Sequence, residues 1–533
     1  MILVSSISVL DCTLRDGGYC NEWHFGFENA AKIARGLVEA GIDIIECGFL
    51  TNRVQYDPDI TKFTDIRQVS RIIPECRKGK RFVVMVNYGE YSPEDLPEYD
   101  GSSVDGIRVA FHKRNLAEAL ALCEGVKAKG YALFVQAMVS LNYSDSEFLG
   151  LIERINALRP EAFYIVDSFG TMGEKDLTRL FYMVEHNLDE NITIGFHSHN
   201  NLQLSYSNAQ KLLSMHGERD MIIDSSVYGM GRGAGNLNTE LFVEYLNVNA
   251  GKNYSIRPLL GIIDEILNGF YQRGHWGYSL PNYLSAVHGA HPNYAIYLDE
   301  KRTLTVKEMN EIFDSLDADK KISYDKNYIE QVYLDYMTGR EPLKPDSSGL
   351  RGNFLGRTIL LIAPGKSSET EHELIESFAA GHECITVSVN FEYGHVRPDF
   401  IFLSNLRRLR ELGHENLSRC IATSNITAEG VFCRADYAGL IFPDDSVRDN
   451  AGLMAVKFFG DMGAGEIYLA GFDGYSHDLE ENYGRSDMAF IARNNILDAQ
   501  NEGMTRALLE LSRKINVKFL TAPRHVNIQS SRP

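Results

Sequence analysis

Residues 7–235 alternate short β-branched apolar runs with longer segments whose apolar residues recur every three to four positions. The runs Ile7–Leu10, Ile42–Cys47, Phe82–Asn87, Gly106–Ala110, Ala132–Met138, Ala162–Val166, Ile192–Phe196 and Met221–Ser225 read as strands. Between the first two, Phe27, Ala30, Ala31, Ala34, Leu37 and Val38 repeat at helical spacing, and Gly41 follows as a stop. Ala117–Lys129, ended by Gly130, has the same character. Strands separated by helix-length segments predict an α/β fold, either a (β/α)8 TIM barrel or an open doubly wound sheet. The barrel is preferred because polar residues recur at the strand C-termini: Arg15/Asp16, Glu46, Asn87, His112, Gln136, Asp167/Ser168, His197/His199 and Asp224. Parallel barrels build their sites on that rim.

The pattern then changes. Residues 255–340 are helical in periodicity, with Ile256–Leu267 the clearest piece. Asp317–Ser323 has the acidic look of a calcium loop but places Lys321 at a ligand position and lacks the turn glycine. Glu341–Gly349, rich in Pro, Ser and Gly, reads as a linker. Beyond it, Thr358–Ala363, Cys384–Val389, Phe400–Ser404, Cys420–Ala422, Gly439–Phe442, Glu466–Ala470 and Val517–Thr521 read as strands of a Rossmann-like open sheet. The expected organisation is a barrel over 1–254, a helical extension over 255–340, a linker over 341–356 and a second α/β domain over 357–533. Gly365-Lys366-Ser367 has the end of a P-loop, but Leu360 stands where the motif needs its first glycine.

Composition narrows the partners. A chain of 533 residues exceeds one ordinary core. A formal charge of −19 disfavours nucleic acid or an anionic membrane surface as the main partner. No apolar run reaches the roughly 18 residues of a membrane span, and the apolar start runs into Asp11 without a basic flank or cleavage site. Eight scattered cysteines without a C-x-x-C suit reduced thiols in the cytoplasm.

Three stretches carry chemistry. Asp11-Cys-Thr-Leu-Arg-Asp-Gly-Gly18 places a cation, Arg15, beside a carboxylate, Asp16, after the first strand. In a continuous strand the two would point to opposite faces, so both serve one site only if the strand breaks, which Gly17-Gly18 would permit. Gly195-Phe-His197-Ser-His199 puts two imidazoles on one face of the seventh strand, and two imidazoles with a carboxylate suit a divalent metal. A bare H-x-H is more often structural. Asp224–Asn236 carries glycines at 229, 231, 233 and 235, a flexible linker in isolation but an anion- and site-completing loop after an eighth barrel strand.

Together these stretches resemble the metal-dependent aldolase and acyltransferase family with a D-x-T-L-R-D-G motif, which includes 4-hydroxy-2-oxovalerate aldolases, hydroxymethylglutaryl-CoA lyases and isopropylmalate synthases. The resemblance covers residues 5–290 and is nearest the hydroxy-oxovalerate aldolases at Asp167–Met172 and Gly229–Asn236. It implies a divalent metal (manganese first, magnesium or cobalt as alternatives) held by Asp16, His197 and His199, with Asn236 in or beside the coordination sphere. It also implies that Arg15 faces a substrate oxyanion and that Tyr278 enters from the helices after the barrel. Tyr19 stands where those aldolases carry a histidine base. A hydroxyl proton must be accepted in such a cleavage, and histidine suits that far better than an unperturbed tyrosine. His24, His288 and His291 are the substitutes in reach of the pattern.

The C-terminal segment faintly resembles Rossmann-like domains of sialyltransferase-like bacterial proteins through Ile362–Ser367, Val389–Tyr393 and Glu466–Asp473. That would imply a nucleotide or nucleotide-sugar site near Gly365, Asn390 and Asp473; turn residues of a docking domain are the competing reading. The leading expectation is an aldolase forming pyruvate and an aldehyde, in sugar or cell-surface polysaccharide metabolism, assembled as a homo-oligomer. A Claisen-type acyltransferase using acyl-CoA is the close alternative. A catalytically inactive barrel scaffold beside a nucleotide-sugar-binding domain is the third.

Overall fold

The computed structural model describes residues 7–215, 217, 219–339, 350–485 and 494–526. Residues 341–349 of the expected 341–356 linker and the first six residues lie outside the described residues; the remainder of that span carries a helical turn, Arg351–Phe354, with Phe354 buried. The chain divides into two compact units, one running to residue 296 and including 317–324, the other comprising 297–316 and 325 onward. No helix among the described residues is long and apolar enough to cross a membrane.

The first unit is a closed parallel barrel. Its strands are β1 Ile7–Asp11, β2 Ile44–Leu50, β3 Arg81–Asn87, β4 Gly106–Phe111, β5 Ala132–Ala137, β6 Ala162–Asp167, β7 Thr193–Ser198 and β8 Met221–Ser225. Each pairs in parallel with the next, and β1 pairs with both β8 and β2, which closes the ring. A two-residue strand, Lys62–Phe63, adds to the rim of β2. Residues 30, 33, 34, 37 and 38 of helix Phe27–Ala40 are buried, as their spacing requires, and Gly41 ends it in the left-handed region at φ 89°. The barrel interior holds Leu10, Ile44, Val83, Phe134, Tyr164, Val166 and Ile222. It also encloses Glu46, Arg108 and Asp224, all at most 2% exposed.

The opening motif departs from its expected geometry. β1 stops at Asp11, and Thr13–Asp16 is one helical turn. The break is set by Asp11, whose carboxylate accepts from the Thr13 N–H (2.9 Å) and the Thr239 hydroxyl (2.7 Å). Arg15 and Asp16 therefore leave a helical turn side by side rather than opposite faces of a strand. The glycine pair has a different purpose: a Cβ on Gly18 would fall 2.1 Å from the Trp23 ring, whose Nε1–H donates to the Arg15 carbonyl (2.8 Å). β2 shifts register directly after Glu46, a bulge that re-aims the strand end.

The second unit holds a seven-stranded parallel sheet of β9 Thr358–Ile362, β10 Cys384–Val389, β11 Phe400–Leu403, β12 Cys420–Thr423, β13 Cys433–Ala435, β14 Glu466–Ala470 and β15 Val517–Phe519. The spatial order is β13-β12-β11-β10-β9-β14-β15. The expected strand at Gly439–Phe442 is instead a helical turn, Tyr437–Leu440, whose residues 437 and 440 are buried one turn apart. The strand in that region is β13, paired to β12 through Ile421 and Cys433. A short apolar run does not by itself distinguish the two conformations.

Candidate metal centre

At the C-terminal rim of the barrel, ligand atoms of Asp16, His197 and His199 all lie within 4.8 Å of one another, and all three side chains are buried. His197 lies at the end of β7 and His199 just past it, where it bridges to Asn236. His197 Nδ1 lies 2.9 Å from Asp224 Oδ2, and His199 Nδ1 lies 3.3 Å from the Gly235 carbonyl. Both partners are acceptors, so each ring holds its proton on Nδ1 and keeps the Nε2 lone pair for a ligand. Asn236 donates to Asp16 Oδ2 (2.7 Å) and is 1% exposed, while its Oδ1 has no hydrogen-bond partner. An unpartnered buried amide oxygen beside a carboxylate and two imidazole nitrogens is a ligand set that suits a divalent cation. The glycine-rich loop is ordered at this point by close approach. A Cβ on Gly231 would meet Asn236 Nδ2 at 2.3 Å and Asp16 Oδ2 at 2.7 Å.

Electrostatics support the same role. Burial alone would raise the Asp16 carboxyl, but Arg15, then His199 and His197, hold it well below the usual carboxylate range. Burial lowers His199 to about 3, so its ring is neutral at ordinary pH. Burial opposes ionisation of Asp224 too, and Arg108 with His197 overcomes it. Beneath the three ligands runs a buried chain of ion pairs. Arg15 pairs with Asp16 and with Glu46 (2.8 Å); Arg108 pairs with Glu46 (2.8 Å) and Asp224. Two guanidinium groups thus face three carboxylates, one negative charge in excess before a cation enters. Arg15 also retains a buried Nη2 with no partner.

The remaining sequence candidates are placed unequally. Tyr19 sits at the rim, edge-on to Trp23 (4.7 Å) and under the Arg232 guanidinium (5.3 Å), with burial raising its hydroxyl pKa. His24 is exposed and bridges to Ile60 through its backbone. Tyr278 is 56% exposed and lines a different recess with Tyr271 and Trp276. His288 follows helix Leu280–Val287 as its C-cap and is half-buried. His291 lies closer to the rim: its ring contacts Phe169 (5.7 Å), and burial followed by Arg232, His112 and His199 lowers its pKa. Its Nδ1 accepts from the Asn293 N–H (3.2 Å), which leaves the proton on Nε2. His112, just after β4, is held neutral by burial and by Arg114 and Arg232.

Arg108 and Arg232 escaped the sequence reading. The signal for Arg108 was a lone cation inside the apolar run Gly106–Ala110, which is tolerated in a strand only with buried counter-charges. Gly365, Asn390 and Asp473 line one cavity in the second unit. The other group of ligand-type side chains among the described residues, His372, Glu376 and His395, is on the surface, and its two imidazoles stack on each other at 4.3 Å.

The barrel has relatives among known proteins. Residues 112–258 match the HMGL-like family. A 4-hydroxy-2-oxovalerate aldolase of Pelotomaculum thermopropionicum is 29% identical over 253 residues, 46% of this chain and 71% of that one. The enzyme of the same name from Bacillus cereus is 24% identical over 287 residues, 51% of this chain and 82% of that one. Among solved structures, Rhizobium etli pyruvate carboxylase overlays with a TM-score of 0.50 at 12% identity, covering 67% of this chain and 35% of that one, a likeness of fold alone. The first unit of this chain is therefore a TIM barrel that is similar, over residues 112–258, to the HMGL-like family, and its curated relatives carry the names of aldolases.

Proposed function

We propose that the barrel, residues 7–254, is a divalent-metal-dependent aldolase that breaks or forms a C–C bond through the enolate of a 2-oxo acid, with pyruvate and an aldehyde as the products of cleavage. The observation that carries this reading is the pairing of an orphaned acceptor, Asn236 Oδ1, with an orphaned donor, Arg15 Nη2, on either side of Asp16. One invites a cation and the other an oxyanion. The names of the relatives agree with it.

Asp16, His197 and His199 would hold the ion, with Asn236 Oδ1 beside them. When bound, it supplies Lewis-acid polarisation of the carboxylate and keto oxygens of a 2-oxo acid. The chain's own groups do the rest. Glu46 fixes Arg15 through Nε, so the remaining guanidinium N–H is preorganised for the negative charge that grows on the keto oxygen as the bond breaks. Cleavage needs an acceptor for the proton of the C4 hydroxyl. Tyr19, its hydroxyl pKa raised by burial, is a hydrogen-bond donor rather than a base. His112 takes the base role in this reading, kept unprotonated by burial and by the cations Arg114 and Arg232. The C3–C4 pair then passes to the 2-oxo acid as its enolate, the aldehyde departs, and a proton delivered to C3 gives pyruvate.

The acyltransferase alternative uses the same barrel, and one experiment separates them. The protein is incubated with pyruvate in D2O and, in parallel, with acetyl-CoA and a 2-oxo acid. An aldolase exchanges the methyl protons of pyruvate and releases no thiol. Free CoA thiol without exchange would assign the acyltransferase instead.

A further inference from the structure

The strand order of the second unit reverses between β9 and β14: the chain builds β10 to β13 on one side of β9, then returns to add β14 and β15 on the other. The loops leaving β9 and β14 part at that point, and open parallel sheets bind ligands there, beyond the carboxyl ends of the strands. A cavity of about 210 Å³ occupies the place, lined by Gly365 after β9, Asn390 after β10, Ser404 after β11 and Asp473 after β14.

The lining is that of a built site. Ser404 is 2% exposed, and its hydroxyl has no partner. The Gln500 amide oxygen, also on the wall, has none. Asn390 holds a left-handed backbone at φ 65°, which Asn tolerates better than most residues, and its amide oxygen accepts from the Ser404 N–H (3.3 Å). Three carboxylates also line it: Asp473 accepts from the Ser367 N–H (2.7 Å) and hydroxyl, Asp449 accepts from the Tyr333 hydroxyl, and Glu300 precedes Lys301 in the chain. Three cations, Lys301, Arg302 (paired with Asp299 at 3.4 Å) and Arg408 (whose Nη1 donates to Glu411 at 2.6 Å), share the wall with Asn450, Ala451 and Gly452, the start of the eleven-residue helix Ala451–Asp461. Its Leu453 N–H donates to the Asn450 side chain (3.1 Å), and the N–H groups of Ala451 and Gly452 with the positive dipole end favour an anion.

We propose that this cavity binds the phosphate ester of a hydroxyl-rich small molecule. The phosphate is taken by Arg408, Lys301 and the helix start, and ligand hydroxyls by Ser404, Asn390 and Gln500. A nucleoside monophosphate and a hexose phosphate share this chemistry. The assignment is independent of the barrel's reaction, so either can fail alone.

The test is calorimetric titration of the full chain with uridine monophosphate, cytidine monophosphate, glucose 6-phosphate, uridine, glucose and inorganic phosphate. At least one ester should bind one per chain, more tightly than inorganic phosphate and than its own unphosphorylated parent. Which ester binds identifies the polyol. Arg408→Gln and Lys301→Gln, each checked for an unchanged thermal midpoint, should each weaken that ester by about tenfold or more, the loss of a charge-assisted hydrogen bond. Absence of ester binding, esters no tighter than inorganic phosphate, or unchanged affinity in both variants would overturn the proposal.

Discussion

Asp224 Oδ2 lies 2.9 Å from His197 Nδ1 and also receives the Arg108 guanidinium, so one carboxylate oxygen ties a rim histidine to a cation buried inside the barrel. That carboxylate sets the tautomer of His197 and fixes its ring. Asp224→Asn keeps the shape but weakens the hold on Nδ1–H, and should reduce metal affinity about 10- to 100-fold. Manganese titration followed by electron paramagnetic resonance measures this; an unchanged affinity would mean that His197 is oriented by packing alone.

The same ion-pair chain predicts a stability effect. Arg108 is fully buried between Glu46 and Asp224, and its removal leaves Asp224 without its guanidinium and Glu46 with Arg15 alone. Arg108→Met should destabilise the barrel by about 3–5 kcal/mol in urea unfolding. A loss below about 1 kcal/mol would show that the pair is replaceable by apolar packing.

Arg15→Lys retains the charge but removes the planar fork that reaches Glu46 and an oxyanion together. Metal binding should survive, while the rate of pyruvate proton exchange falls about 10²–10³-fold, the usual loss for one oxyanion donor. Near-full exchange in the lysine variant would remove Arg15 from the mechanism.

The base assignment divides two residues. His112→Gln should lower the rate of aldol cleavage about 10²–10⁴-fold, as expected for a general base. Tyr19→Phe, which preserves the contacts with Trp23 and Arg232, should cost far less. The reverse ranking would return the proton to Tyr19. In that case Arg232 over its ring would be the group that activates it.

His199 makes the metal-free protein pH-sensitive. Its folded pKa of about 3 lies below the 6.5 of an unperturbed imidazole, so between those values the unfolded chain binds a proton that the folded one does not. Stability from this group therefore rises with pH through that window and levels above 6.5. Asp11, raised to about 6, and Asp167, raised to about 7, act in the opposite sense from about 4 upward, because their protonated forms are favoured by folding. Comparing wild type with His199→Gln in urea at pH 4.5 to 8 cancels the shared carboxyls. The wild-type stability relative to the variant should increase up to pH 6.5 and then hold constant. A difference independent of pH would contradict the buried neutral ring.

Much of the barrel was legible because parallel strands buried on both faces read as near-continuous apolar runs, and Gly41 marks a helix end by its left-handed backbone. His197 and His199 were legible for a similar reason, since a two-residue spacing fixes a shared face before any tertiary contact is known. The partners of those histidines were not. Asp224 and Arg108 are 116 residues apart, and only closure of the ring brings them together. The lowered pKa of His112 comes first from its burial in the folded barrel, then from the neighbouring Arg114, and then from Arg232 in a loop more than a hundred residues away. Arg15 and Asp16 were expected on a broken strand because local pattern marks Gly17-Gly18 as the breaker. The break actually belongs to Asp11, through its contact with Thr239. The misread run at Gly439–Phe442 has no such distant cause; a glycine and three apolar residues satisfy either conformation.

The measurement closest to the central claim is the metal dependence of enolate formation. Protein stripped of metal by a chelator is mixed with pyruvate in D2O, with and without added manganese, alongside His197→Gln. Exchange of the methyl protons should be absent in the stripped protein, return with manganese, and fail to return in the variant. Exchange that proceeds unchanged in the stripped protein, or that manganese restores equally in His197→Gln, would contradict a metal centre built from Asp16, His197 and His199.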